Sequence, residues 1–224
     1  MSSSGTETAV RSITRAGFIG LGAMGAPMAG HLHRRGLLGA VWNRGPEAAG
    51  DFVAACPGAL LADSPAALAG MVDAVLICVS ADDDLRQIIE RIEPVLRAGQ
   101  IVVDHSTVAP ATARQISARL AKTGVAFVDA PVTGGVEGAA NGRLAIMAGG
   151  QRSVIDRLDP VFSAYAGVWR HLGDSGSGQS AKAVNQLMVS GIAEAVCEAL
   201  ALVERLDLPR DSMLELLEIG RAHV

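Results

Sequence analysis

The sequence predicts an α/β fold: a mostly parallel, doubly wound sheet with helices on both faces, followed by a long helix into a separate all-helical segment. Three observations predict it. From residue 13 to about 171, short apolar runs alternate with helical stretches, the pattern of parallel strands joined by crossover helices. Runs such as Val75-Leu76-Ile77-Cys78-Val79 are apolar without alternation, as strands covered on both faces are. Beyond Gly173-Asp174-Ser175-Gly176-Ser177-Gly178 the strand signal stops, and Ala183, Val184, Leu187, Met188, Ile192, Val196, Leu200 and Val203 recur at helical spacing.

In chain order, residues 1–12 read as a disordered polar tail with no signal-peptide core. Strands are expected at 14–19, 40–42, 59–61, 74–79, 101–104, 125–129, 143–148 and 168–171. Helices are expected at 26–35, 46–55, 65–68, 82–96, 110–122 and 151–162. Pro46, Pro65 and Pro110 stand where proline is tolerated, in first helical turns. The helix over 179–207 would be roughly 40 Å long at ~1.5 Å per residue, too long for another crossover. A second helix begins near Pro209-Arg210-Asp211. The ending Ile219-Gly220-Arg221-Ala222-His223-Val224 matches a common sequencing adapter translated in frame, so a fragment lacking its natural C-terminus is expected.

The 224 residues are half hydrophobic but only 3% aromatic, so the core must be built from Ala, Val, Leu and Ile. A net charge of −4 and a pI near 5.7 argue against a nucleic-acid or anionic-membrane surface. Cys56, Cys78 and Cys197 are dispersed with no Cys-x-x-Cys pair, so no metal site is expected and a reducing compartment fits. No apolar run approaches the ~20 residues of a membrane span. These features together suggest a soluble cytoplasmic protein.

The chemistry is concentrated in five stretches. Phe18-Ile19-Gly20-Leu21-Gly22-Ala23-Met24-Gly25 runs from a strand through Gly-x-Gly-x-x-Gly into a helix. In Rossmann-type dinucleotide folds the first glycine turns the chain, the second lets a pyrophosphate touch backbone, and the third lets the helix pack closely. After the second strand, Val41-Trp42-Asn43-Arg44-Gly45 lacks the carboxylate that holds a ribose 2′-OH. Arg44 suits a 2′-phosphate instead, favouring NADP(H) over NAD(H), unless it is only a solvated turn residue.

Asp104-His105-Ser106-Thr107 ends a parallel strand, where ligands bind. Ser106 and Thr107 could bond a nicotinamide or substrate, or belong to a helix N-cap region; His105 is taken as structural or exposed. Asp129-Ala130-Pro131-Val132-Thr133-Gly134-Gly135, with a second glycine cluster at 138–142, offers backbone N–H groups and a hydroxyl for a carboxylate. Finally, Lys182 and Asn185 share a helix face one turn past Gly176-Ser177-Gly178. A partly desolvated lysine there could trade a proton near neutrality, and a snorkelling surface lysine is the alternative.

In this order the motifs resemble the β-hydroxyacid dehydrogenase family, which includes 3-hydroxyisobutyrate dehydrogenase, tartronate semialdehyde reductase and glyoxylate/succinic semialdehyde reductases, with 6-phosphogluconate dehydrogenase a larger relative. The resemblance covers residues 16–217. It implies a dinucleotide-binding domain over 13–173, then an interdomain helix and the start of an all-α substrate and dimerisation domain over 174–224. It implies that Gly20, Gly22 and Gly25, with Leu21, Ala23 and Met24 between them, cradle the cofactor, that Asn43 and Arg44 meet the 2′-phosphate, and that Val79, Ser80 and Thr107 lie along it. Thr133, Gly134 and Gly135, with Ser106, would hold a small carboxylate substrate. Lys182 would be the acid/base and Asn185 would orient substrate or lysine.

No metal, nucleic acid or membrane is implied, and a homodimer or tetramer is expected at full length. The sequence departs from the family at His31, where Asn is usual, at Ser80 for Pro, and at Thr133 for Ser. Two alternatives remain on the same fold. One is an imine-reductase-like enzyme, although such relatives lack the lysine. The other is a cofactor-binding fragment or module without turnover.

Overall fold

The computed structural model describes residues 13–220; the expected N-terminal tail and the last four residues of the adapter-like ending lie outside them. Five strands, β1 (Ala16–Ile19), β2 (Leu38–Trp42), β3 (Ala74–Ile77), β4 (Ile101–Asp104) and β5 (Ala126–Asp129), form an all-parallel sheet in the order β2-β1-β3-β4-β5. Their apolar runs divide residue by residue between two cores, because successive side chains leave opposite faces. Phe18, Leu76 and Val103 pack on one side with Met28 and Leu32 of α1 (Gly25–Arg34) and Phe52 of α2 (Pro46–Ala55). Ile19, Val75, Ile77 and Val102 face the other core. There they meet Leu68 of α3 (Pro65–Met71), Leu85 and Ile89 of α4 (Asp82–Ile92), and Ile116 and Leu120 of α5 (Pro110–Ala121).

The strand expected at 59–61 is reduced to a single parallel bridge between Leu61 and Val41. Two hydrogen bonds hold it, from Val41 N–H to Leu60 O and from Ala62 N–H to Val41 O. Helix α4 stops at Ile92 and tightens into a 3-10 turn over Glu93–Val95, since Pro94 has no N–H to continue the ladder.

The later strands leave the main sheet. β6 (Val132–Thr133), β7 (Leu144–Ala148) and β8 (Ala166–His171) make a second sheet, antiparallel between β6 and β7 and parallel between β7 and β8. An antiparallel bridge from Asp129 to Gly149 joins it to β5. Pro131, unable to donate, ends the parallel ladder just past β5. The short α6 (Gly135–Ala140) follows β6. The helix expected over 151–162 is two, α7 (Arg152–Asp156) and α8 (Asp159–Tyr165), interrupted ahead of Pro160 in the first turn of α8.

The chain divides into two compact units, one ending at Lys182 and the other beginning at Ala183. Helix α9 (Ser177–Arg205) starts in the first and continues in the second, which also holds α10 (Arg210–Gly220). One sequence expectation needs correcting here: α9 is long and apolar enough, by length and composition, to cross a membrane, with an 18-residue stretch of mean hydropathy 1.6. Polar Ser, Gln and Asn residues interrupt its apolar residues, while its few charges keep the average high. A helix that packs its apolar side on other protein passes the same test.

Candidate active site

The carboxyl ends of β1 and β3, where the strand order reverses, open onto a cavity of about 420 Å³ lined by Gly20, Gly22, Asn43, Arg44, Val79 and Ser80 among others. The three glycines of the turn differ physically. Gly20 has φ +96°, and a Cβ there would lie 2.1 Å from Cys78 O. At Gly25 a Cβ would lie 1.8 Å from Gly20 O, so α1 can start this close to β1 only with glycine. Gly22 meets nothing within 4 Å. That bare backbone beside the start of α1, whose first turn carries no acidic residue, fits a pyrophosphate. Leu21 is buried and its N–H donates to Asn43 Oδ1 at 2.9 Å, while Ala23 and Met24 lead into the helix.

Asn43 lines the cavity, yet its amide oxygen holds Leu21 and its nitrogen donates to Gly45 O at 2.9 Å. It therefore orders the glycine turn. Arg44 is largely exposed and pairs with Asp84 at 2.8 Å. No carboxylate stands at the end of β2, but the first turn of α4 brings one to the same place. Arg91, also on α4, lies 5.2 Å over the Trp42 ring, a cation–π contact on the cavity wall. The sequence shows the acidic start of α4, Asp82-Asp83-Asp84; which carboxylate turns toward Arg44 depends on packing 40 residues away.

At the end of β4, Thr107 is exposed but Ser106 is buried. Ser106 Oγ accepts the Val79 N–H at 2.9 Å, tying the ends of β3 and β4 together. Ser80 is exposed at the rim. Beneath them Asp104 is fully buried; Oδ1 accepts the Ser106 N–H, and Oδ2 has no partner among the described residues. Burial pushes its carboxyl up to about 7, with the charges of Asp129 and Asp82 adding and the Ser106 hydrogen bonds opposing.

His105 is structural. It lies among Phe18, Phe162 and Tyr165, with Nδ1 2.7 Å from Ala130 O and Nε2 2.8 Å from the Tyr165 hydroxyl. A carbonyl only accepts, so in the neutral ring Nδ1–H donates and Nε2 accepts from Tyr165. Burial lowers its pKa to about 4.

These neighbours have opposed effects on stability. The depressed His105 contributes stability present above its unfolded pKa of about 6.5 and lost as pH falls toward 4. The raised Asp104 contributes stability present below about 3.8 and lost as pH rises toward 7. Between pH 7 and 5 each amounts to about 2 kcal/mol, and the two offset. We expect His105→Gln to make denaturant-measured stability rise on acidification over that interval and Asp104→Asn to make it fall; parallel profiles in both variants would contradict this assignment.

Thr133 is half-buried at the end of β6, and Gly134 and Gly135 are exposed with φ of +124° and +62°. His31 on α1 donates from Nε2 toward Ala139 O at 3.1 Å and Ala140 O at 3.0 Å. It pins the end of α6 to the helix that begins at the glycine turn. Lys182 is 7% exposed, and burial lowers its pKa. Asn185 belongs to the second unit, where its amide nitrogen donates to Gln186 Oε1 at 3.3 Å. Among the described residues no group of His, Cys, Asp and Glu could hold a metal. Asp129, which opens the 129–135 motif, and Gln179 received no role from the sequence, because their partners are far along the chain.

The family described as the NAD-binding domain of 6-phosphogluconate dehydrogenase matches residues 15–173. That described as NAD-binding of NADP-dependent 3-hydroxyisobutyrate dehydrogenase matches 176–224. An uncharacterized oxidoreductase of Shewanella frigidimarina is 39% identical over 213 residues, covering 94% of this chain and 73% of its own length. The Mycobacterium tuberculosis 3-hydroxyisobutyrate dehydrogenase structure with L-serine has a TM-score of 0.84 at 32% identity, over 92% of this chain and 70% of that one. Psf3 in complex with NADP+ and 2-OPP has a TM-score of 0.81 at 28% identity, over 89% and 71%. Since both segments match families of this kind and the glycine turn has room for a pyrophosphate, the chain belongs to the β-hydroxyacid dehydrogenase family, that of 3-hydroxyisobutyrate dehydrogenase, and is an NAD(P)-binding oxidoreductase.

Proposed function

We propose that this protein interconverts a small β-hydroxyacid and its semialdehyde or keto acid, with NADP(H) preferred over NAD(H) and Lys182 as general acid/base. The observation that carries this is Lys182 itself: a lysine withdrawn from water on the helix that packs against the cofactor-side strand ends. Burial disfavours the ammonium form, so the amine can accept the hydroxyl proton in oxidation and return it in reduction. Bound nicotinamide cofactor would accept or donate the hydride. Thr133 and the Gly134 and Gly135 amides suit the substrate carboxylate, as oriented donors for an anion. Turnover of a panel of small β-hydroxyacids and semialdehydes, with each cofactor, tests this reading; no turnover of any of them would overturn it.

The NADP(H) preference rests on Arg44, and the structure adds Asp84 as its counterweight. A carboxylate 2.8 Å from the guanidinium both occupies it and repels a 2′-phosphate. We expect Asp84→Asn to raise the NADPH:NADH affinity ratio about 3–10-fold, on the order of 1 kcal/mol, and Arg44→Ala to lower it. Fluorescence titration of Trp42, which lines the cavity, measures both; a ratio unmoved by either change would remove the pair from cofactor selection.

A further inference from the structure

We infer that Gln179 is a positioning residue, whose side-chain amide sets the rotation of α9 against the 106–108 loop and so fixes where Lys182 stands at the cofactor end of the sheet. The inference rests on the acid/base reading of Lys182. Gln179 is 2% exposed and uses both ends of its amide on backbone: Nε2 donates to Ser106 O at 2.7 Å, and Oε1 accepts the Val108 N–H at 3.2 Å. The tie therefore straddles Thr107. Because Ser106 Oγ holds the Val79 N–H, one side chain links the lysine helix to the ends of β3 and β4 together.

The other attachments of this helix act differently. Asp129 caps it, Oδ1 accepting the Gly176 N–H at 2.7 Å and Oδ2 the Gln179 N–H at 3.0 Å. These satisfy amides that have no partner within the helix. Gly178 presses backbone to backbone, since a Cβ there would lie 2.3 Å from Met147 O and 2.6 Å from Asp129 O. Cap and glycine contact lie at the helix start and fix its position along the axis. Gln179 projects from the helix surface, three residues before Lys182 and on the same face, and resists rotation. A rotation of about 10° moves a group roughly 8 Å from a helix axis by about 1.4 Å. A misplacement near 1 Å in a catalytic group costs about 10²-fold in rate.

The sequence contains two lysines, Lys122 and Lys182, so Lys122→Arg leaves Lys182 as a single reporter. Carbon-13-labelled lysine incorporated into that background gives the Lys182 titration by NMR without requiring turnover. With Gln179 in place the signal should titrate below the ordinary lysine value. In Gln179→Ala it should move up toward that value, with kcat reduced about 10–100-fold and both substrate KM and NADPH affinity within about threefold. Gln179→Met, which keeps the side-chain length without either hydrogen bond and adds no charge beside Lys182, should shift the titration in the same direction and serves if the alanine variant does not melt cooperatively. A Lys182 titration unchanged in a folded Gln179 variant would overturn the inference, because a residue that only stabilises the fold leaves it in place. Turnover surviving Lys182→Ala would instead overturn the acid/base reading, and the titration would still decide whether Gln179 positions Lys182.

Discussion

Replacing Lys182 by alanine is expected to lower kcat by about 10²–10⁴-fold, the usual contribution of a positioned general acid/base, while leaving NADPH affinity within about twofold. The separation follows from position: the glycine turn that fits the cofactor lies at the ends of β1 and β3, and Lys182 is on α9. Lys182→Arg should be as inactive in hydroxyacid oxidation as alanine, because a guanidinium keeps its proton at any working pH. The sign of the pH dependence follows from the depressed lysine pKa. Oxidation requires the neutral amine and should rise with pH through that pKa, whereas reduction requires the ammonium and should fall over the same interval. Steady-state rates in both directions, with a cofactor titration beside them, check this. An alanine variant retaining the wild-type rate would exclude Lys182 from the chemistry.

The second large effect comes from two glycines three residues apart. Gly25→Ala puts a Cβ 1.8 Å from Gly20 O, so α1 must move off the strand; a loss of about 1–3 kcal/mol or more is expected, seen as a lower melting temperature with and without cofactor. Gly22→Ala meets nothing within 4 Å and should melt as wild type does. Its new methyl stands where the pyrophosphate would touch backbone, and NADPH affinity should fall at least about tenfold. Thermal melts and Trp42 fluorescence titrations on both variants separate the two roles. A Gly22→Ala protein binding cofactor normally would move the phosphate site elsewhere.

What the sequence revealed depended on whether the cause was local. The parallel strands were legible because burial on both faces leaves only apolar residues, as at Val75, Leu76 and Ile77. The glycine turn was legible because each glycine answers a steric demand of its own few residues. Helix α9 was legible from its spacing. By contrast, β6 has two residues and α6 reads Gly-Val-Glu-Gly-Ala-Ala, so neither carries a periodicity, and both form because the chain between β5 and β7 has partners to pair with. The division of 151–162 at Pro160 was readable in principle, since a proline marks a first turn as well as a stop. Asp129 as the cap of a helix 47 residues on, and Asp84 as partner to an arginine 40 residues back, depend on the assembled sheet. Gln179 belongs with them: its residue type is unremarkable, and its role lies in two backbone groups more than 70 residues away.

Cys78 stands in the wall of the cavity beside the glycine turn, with a thiol that burial and the nearby Asp104 push up to about 12. At neutral pH only about one molecule in 10⁵ then carries the thiolate, the form that reacts with electrophiles. A sulfur in this cavity wall, just past the end of β3, is thereby kept chemically quiet. Cys197, by contrast, is exposed on α9, so maleimide chemistry can place a label on that helix while Cys78 stays unmodified.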